Sequence, residues 1–196
     1  MKKVFTRLPS SSAIPLAVRR VQDMFVLMFL LRGLPFVDLA YLRKSDLRDN
    51  VITYRRRKTG RPLSVTLTPE ALELLKKYMN RDSHSPYLFS LLKSGEGTKE
   101  AYREYQLALR SFNQQLTLLG EVLGLNDRLS SYTARHTWAT TAYYCEIHPG
   151  IISEAMGHSS IKVTETYLKP FRNKKIDEAN NQIIDFVKHS IAGVVA

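Results

Sequence analysis

Val51-Ile52-Thr53-Tyr54-Arg55-Arg56-Arg57-Lys58-Thr59-Gly60-Arg61-Pro62-Leu63-Ser64-Val65-Thr66-Leu67 is the one stretch of this chain that reads as β-structure. Val51, Ile52, Thr53 and Tyr54 are good strand formers, and Thr59-Gly60 is a turn signal. Val51–Lys58 and Leu63–Leu67 are therefore expected to pair as a β-hairpin. Side chains alternate along a strand, which would put Arg56 and Lys58 on one face and Arg55 and Arg57 on the other. No acidic residue occurs from Val51 to Pro69. A hairpin with cations on both faces is costly to bury and well suited to lie against phosphates. The bland alternative is a solvated edge hairpin whose basic side chains deter strand pairing.

Outward from the hairpin the chain reads as helix. Leu16, Val21, Phe25, Met28, Phe29 and Leu31 recur at helical spacing, until Gly33 and Pro35 interrupt the pattern. Phe36–Leu42 resumes as a short helix and Asp46–Asn50 reads as a turn. After the hairpin, Thr68-Pro69-Glu70 has the form of a helix start, with Thr68 as N-cap and Pro69 in the first turn; this helix should end near Asn80. A long helix is expected from Thr98 to Leu119, broken at Gly120–Asp127. Ser131–Cys145, Pro149–Met156 and Ile161–Leu168 follow, and Lys169-Pro170 interrupts the run. The last helix, Ile176–Ala192, has an apolar stripe of Ile176, Ala179, Ile183, Phe186 and Val187. No internal repeat is visible. The expected fold is mainly α with a small antiparallel β-sheet (α+β), in a single domain over 1–196. Within it, 1–14 would be a lead-in loop, marked by Pro9 and Ser10–Ser12, 15–170 the core, and 171–196 a C-terminal helix and tail.

Composition narrows the partner. The 196 residues suit one domain. Lys plus Arg is 29 against 18 for Asp plus Glu, a formal net charge of +11, and the isoelectric point is about 9.8. A balance this basic points to an anionic partner such as nucleic acid, although charge also serves solubility. Cys145 is the only cysteine, so neither an intramolecular disulfide nor a multi-cysteine zinc site can form. The most apolar stretch, Met24–Leu31, lies between Asp23 and Arg32 and falls far short of the ~20 residues that span a bilayer. No hydrophobic signal region follows Met1-Lys2-Lys3-Val4. The expectation is a reduced, cytoplasmic protein with no membrane association.

The second informative region is Ser131-Tyr132-Thr133-Ala134-Arg135-His136-Thr137-Trp138-Ala139-Thr140, then Met156-Gly157-His158-Ser159-Ser160-Ile161 and Thr164-Glu165-Thr166-Tyr167-Leu168. Tyr132 and Arg135 are three apart, on one helix face. Taken singly, each residue has an ordinary structural explanation. Taken together they match the needs of phosphodiester transesterification without a metal. A tyrosine phenol can attack and leave again. Arg neutralises the non-bridging oxygens through its planar fork, and His adds a further hydrogen bond. Lys can protonate the leaving alkoxide, help typically worth ~10²–10⁴-fold. The metal-dependent alternative is poorly supported, because Asp38, Asp46 and Asp49 lie on different elements and no D-x-D or H-x-H spacing occurs. There is also no G-x-x-x-x-G-K-[ST] phosphate loop. No cofactor, metal or small-molecule substrate is expected.

These residues resemble the tyrosine recombinase (phage integrase) family, in its catalytic domain, over about Met24–Lys169. Arg135-His136-Thr137-Trp138-Ala139-Thr140 is similar to the family's R-H-[ST]-[FW]-A-T, and Met156–Ile161 to its L-G-H-S-S-I. Tyr167 stands where the family places its nucleophile, and Lys58-Thr59-Gly60 looks like its hairpin K-T-G. Arg32–Leu42 looks like the version in mobile-element integrases of Bacteroides-like bacteria. The resemblance implies recombination of double-stranded DNA by a tyrosine recombinase fold. Tyr167 would form a 3′-phosphotyrosyl link, Lys58 would protonate the departing 5′ hydroxyl, and Arg135 and His158 would hold the non-bridging oxygens. Arg55, Arg57 and Arg61 would grip the flanking backbone. It further implies a homo-tetramer on DNA and a monomer in isolation, with the final helix docking on its own or a neighbouring protomer. Because such enzymes commonly carry an N-terminal DNA-binding domain that closes a clamp, its absence here predicts weak, strongly salt-dependent binding.

Two departures stand out. The family pattern H-x-x-R has Tyr132 in its first position, and a phenol is neither a cation nor an easy base near neutral pH. The family's first catalytic arginine follows Gly-Leu, and here that slot holds Pro35. Arg32 and Arg56 are the candidate substitutes, and Arg56 is favoured because the hairpin could carry it to the same phosphate as Lys58. The competing reading is a catalytically impaired DNA-binding module of the same fold.

Overall fold

The computed structural model describes residues 2–6, 14–168 and 173–192. Helix α2 (Leu16–Leu30) is its hub. Val18, Val21 and the run Met24–Met28 are buried along it, and it packs against α4 (Pro69–Tyr78), α5 (Lys99–Val122) and α6 (Thr133–Tyr144). The lead-in is not all loop. Lys2–Phe5 forms a short helix, α1, whose Val4 is wholly buried. Buried Gln22 donates to the carbonyls of Val4 and Thr6 at 2.8 and 2.9 Å, so α2 satisfies the backbone of this segment. The expected loop at Pro9–Ser12 and the interruption at Lys169-Pro170 lie outside the described residues.

The sheet has three antiparallel strands in the order β1 (Leu47–Arg48), β2 (Val51–Arg55) and β3 (Pro62–Thr66). Ile52 pairs with Val65 and both face the core, 1% and 3% exposed. Burying each is worth about 1.5–3 kcal/mol, which pins the register. The segment read as a turn over 46–50 is in part β1 and a tight hairpin. Asp49 and Asn50 both have positive φ, 47° and 61°, as a two-residue type I′ connection requires. The main hairpin is shorter than expected. β2 ends at Arg55, and Arg56–Arg61 form the connecting loop, closed by the Arg56 amide on the Arg61 carbonyl and the Gly60 amide on the Arg56 carbonyl. Arg56 and Lys58 therefore do not share a strand face. The loop's curvature aims them, not the alternation of a strand.

The expected cap at Thr68 is present, and Thr98 caps the long helix in the same way. Thr68 accepts from the Ala71 amide at the start of α4, and Thr98 from the Ala101 amide at the start of α5. α5 runs through Gly120 to Val122 and ends at Gly124, whose positive φ turns the chain so that the Leu125 amide reaches the Gly120 carbonyl. Gly120 is tolerated because it is buried within the helix. Tyr87, Leu88 and Phe89 are fully buried in an extended segment bridged to Arg43 and Met79. α3 (Phe36–Tyr41), a 3-10 turn (Lys44–Asp46), α7 (Pro149–Met156), α8 (Ile161–Glu165) and α9 (Asn173–Ala192) complete the described elements. α8 is shorter than the helix expected to Leu168, and Tyr167 sits in the turn after it. The apolar stripe of α9 is largely uncovered: Ile176, Ile183 and Phe186 are all exposed.

Candidate active site

Three segments meet around Arg135: the α2–α3 connection, the hairpin loop, and the α7–α8 turn. Gly33 makes the first approach possible. Its φ is +68°, and a Cβ there would lie 2.9 Å from the Arg135 Cα. Arg135, in the first turn of α6, is only 1% exposed. Its two terminal nitrogens donate to the carbonyls of Gly33 at 2.9 Å and Met156 at 2.7 Å. The guanidinium is thus oriented by backbone from two different segments, and its charge acts on the Tyr167 phenol.

His158 follows Gly157, whose left-handed conformation ends α7. The His158 ring is buried. Its Nδ1 lies 2.8 Å from the Thr164 hydroxyl, and its Nε2 is buried without a hydrogen-bond partner. Burial pushes its pKa down to about 4, helped by the charges of Arg135, Arg56 and Lys58. The imidazole is therefore neutral at pH 7. The unfolded chain takes up a proton near the ordinary value of ~6.5. Between that pH and about 4 the unfolded state binds more protons than the folded one, so stability falls as pH falls. The loss should reach up to about 3 kcal/mol. Urea midpoints at pH 7.5, 5.5 and 4.5 should fall more steeply for the native sequence than for His158→Gln. Parallel profiles would remove His158 as the cause.

Tyr167 is half-buried. Its ring stacks on His158 with centroids 5.2 Å apart and packs on His136 at 4.5 Å. Its hydroxyl lies 2.5 Å from the hydroxyl of Tyr132, the N-cap residue of α6. Burial and the Tyr132 hydrogen bond push the Tyr167 phenol up from its ordinary value, and Arg135 pulls it back. The resting phenol is therefore protonated.

Arg56 is buried at the start of the hairpin loop and pairs with Asp38 of α3 at 2.6 Å. The second Asp38 oxygen accepts the Arg57 amide at 3.0 Å. Burial pushes the Asp38 carboxyl up, and Arg56 and the Arg57 amide pull it down. Burial is the larger influence and the net shift is upward, while the two hydrogen bonds and the adjacent Arg56 guanidinium favour the carboxylate. The Nε groups of Arg56 and Arg135 are, like His158 Nε2, buried and unpartnered. The Arg56 charge depresses both Arg135 and His158, which places all three cationic or imidazole groups in one electrostatic neighbourhood.

The loop tip is docked on the turn that carries His158. Thr59 donates to the Gly157 carbonyl at 3.0 Å and Arg61 to the Ser159 carbonyl at 3.3 Å. Lys58, exposed just before Thr59, is close enough for its charge to depress His158. Arg55 donates back to Gly60 within the loop. Arg57 differs from the free backbone-gripping cation expected of it. It pairs with Glu96, which also holds Arg43, and lies 3.8 Å over the Tyr41 ring. Arg32 has φ +59° and donates to the Ser64 carbonyl on β3. The structure thus gathers Tyr167, Arg135, His158, Lys58, Tyr132 and Arg56, and leaves Arg32 against the sheet. Asp38, His136 and Thr164 belong to the same cluster without having been singled out from sequence. Only the packing of α3, α6 and α8 reveals them.

Among solved structures, the Tn1549 transposon integrase in complex with transposon right end DNA matches with a TM-score of 0.62 and 14% identity, over 91% of this chain and 67% of that one. A XerA recombinase matches with a TM-score of 0.58 and 21% identity, over 83% and 57%. At such identities the likeness speaks for the fold, which is that of tyrosine recombinase catalytic domains. The sequence pattern of the phage integrase family matches residues 13–174, so the chain belongs to the phage integrase family. Tyrosine recombinase XerC of Haemophilus ducreyi is 29% identical over 134 residues, covering 66% of this chain and 42% of that protein. Tyrosine recombinase XerA of Thermococcus onnurineus is 29% identical over 161 residues, covering 81% and 54%. The chain spans about half the length of the curated relatives it matches.

Proposed function

We propose that this chain breaks and rejoins double-stranded DNA by transesterification through a 3′-phosphotyrosyl intermediate, in site-specific recombination or integration of a mobile element. The observation that carries the reading is the group of three buried, unpartnered nitrogens, on Arg56, Arg135 and His158, beside the Tyr167 phenol. A buried donor without an acceptor is costly, and a phosphate oxygen would supply the acceptors. In this reading the Tyr167 oxygen bonds to phosphorus as the P–O5′ bond breaks. Arg135, Arg56 and His158 hold the non-bridging oxygens where charge develops. Lys58 gives its proton to the 5′ oxygen. The phenolic proton passes to solvent on the open side of the site, where Tyr132 is 42% exposed. Asp38 keeps Arg56 oriented.

The partner is duplex DNA. Arg55 and Arg61 contact the backbone directly, whereas Arg57 must first leave Glu96. The protein is a monomer when isolated and a tetramer on DNA, the uncovered face of α9 supplying the contact between protomers. The reading places it in the cytoplasm, where its DNA partner lies. A second reading, a DNA-binding module with little or no catalysis, is favoured by Pro35 and by the Tyr132 bond that retains the Tyr167 proton. A nicked suicide DNA substrate, incubated with the protein in EDTA, separates them. A covalent adduct supports transesterification, and binding without an adduct supports the second reading. Cleavage that EDTA abolishes would overturn both.

A further inference from the structure

Thr164 is completely buried in α8 and carries no charge. Two of its atoms nevertheless tie together the two groups that the proposed reaction must keep in register. Its hydroxyl lies 2.8 Å from His158 Nδ1, and its carbonyl accepts the Tyr167 amide at 2.9 Å. A neutral imidazole has one N–H and one lone pair, and the bond made at one nitrogen decides what the other presents. If the Thr164 hydroxyl donates to Nδ1, the proton stands on Nε2, the buried nitrogen without a partner. If Nδ1 donates to Thr164, Nε2 presents a bare lone pair, which repels an anionic phosphate oxygen.

We infer that Thr164 is a positioning residue: by donating its hydroxyl to Nδ1 it holds His158 as the Nε2–H tautomer, so that the ring can donate to a phosphate oxygen. The inference rests on the proposed transesterification for its purpose, but the tautomer itself is a property of the free protein. A hydroxyl suits this task where a carboxylate does not. A carboxylate can only accept, so it would pull the proton to Nδ1 and leave Nε2 bare. The threonine methyl fills space in a fully buried position, which makes Thr164→Val a near-isosteric removal of the donor.

The test combines ¹⁵N NMR of the His158 ring, in the native sequence without DNA, with adduct formation on the suicide substrate. Expected are a protonated Nε2 and an unprotonated, hydrogen-bonded Nδ1. Thr164→Val should populate both tautomers and slow adduct formation ~10–100-fold, because a donor is lost from the phosphate. Thr164→Ser should restore the native ring signals and a rate within about 3-fold of native. A proton on Nδ1 in the native protein would overturn the inference. So would unchanged ring signals and rate in Thr164→Val. Should Thr164→Val fail to fold, the native spectrum and Thr164→Ser still decide. Should the native protein form no adduct, the proposed function fails, while the ring spectrum judges Thr164 independently.

Discussion

Tyr167→Phe is expected to abolish the covalent protein–DNA adduct entirely, while Tyr132→Phe retains it. The comparison matters because the two phenols are only 2.5 Å apart at their oxygens, so distance alone does not say which attacks. Their surroundings do. The Tyr167 ring packs on His136 and His158, and the Arg135 charge favours its phenolate. Tyr132 is 42% exposed at the start of α6. A nucleophile must approach a phosphate already held by buried donors, and only Tyr167 stands among them. Removing its hydroxyl removes the bond-forming atom, so the expected loss is complete. Removing the Tyr132 hydroxyl takes away one influence that raises the Tyr167 phenol. Adduct formation by Tyr132→Phe should therefore persist within about tenfold and extend to lower pH. Denaturing gels of the trapped complex read both results. An adduct formed by Tyr167→Phe would remove Tyr167 from its proposed role.

The second large effect concerns Arg56. Arg56→Lys should slow adduct formation by about 10²–10³-fold, the cost of removing a preorganised donor to a developing oxyanion. Arg32→Lys should change it by less than about 3-fold, because Arg32 is engaged with the Ser64 carbonyl. Lysine keeps the charge opposite Asp38 but lacks the planar fork, which separates phosphate recognition from ion pairing. Arg56→Ala would mix the two. It leaves Asp38, 2% exposed, without a counter-charge, and breaking a buried pair from one side costs about 3–5 kcal/mol. Thermal midpoints measured alongside should show Arg56→Lys near the native value. A strong defect in Arg32→Lys with a mild one in Arg56→Lys would reverse the assignment.

Much of the fold is legible in local pattern. Thr68-Pro69 and Thr98 start their helices where capping chemistry says they should, and Val51–Tyr54 forms the strand that its β-branched residues favour. The misreadings share a cause. Gly120 looks like a helix stop but is absorbed by α5, whose real stop is Gly124. Asp49-Asn50 carries the mark of a type I′ turn, yet β1 is only two residues long and is stabilised by pairing with β2, not by its own propensity. Val4 falls in the lead-in that Pro9 and Ser10–Ser12 mark as loop, and four residues of helix have no local stability of their own. Packing on α2 holds them.

The candidate site divides along the same line. Arg135, His158 and Tyr167 are recognisable from motif and spacing, and Lys58 from the hairpin K-T-G, because residue type and order are local information. On sequence, Arg56 is favoured over Arg32 because it would share a strand face with Lys58. The strand that was to align Arg56 with Lys58 ends at Arg55. What brings Arg56 to Arg135 is a buried ion pair to Asp38, on a helix earlier in the chain. The Tyr132–Tyr167 bond spans 35 residues, the Arg135–Gly33 bond 102, and the Thr59–Gly157 bond 98. From sequence alone, then, the expected chemistry is legible: an anionic partner, a phenol, and the cations and imidazole that accompany it. Which of its arginines stand free, which are tied to Asp38 or Glu96, and which nitrogens are buried without partners was decided only by tertiary structure. Pairing and desolvation depend on groups far apart in the chain, and no local pattern records them.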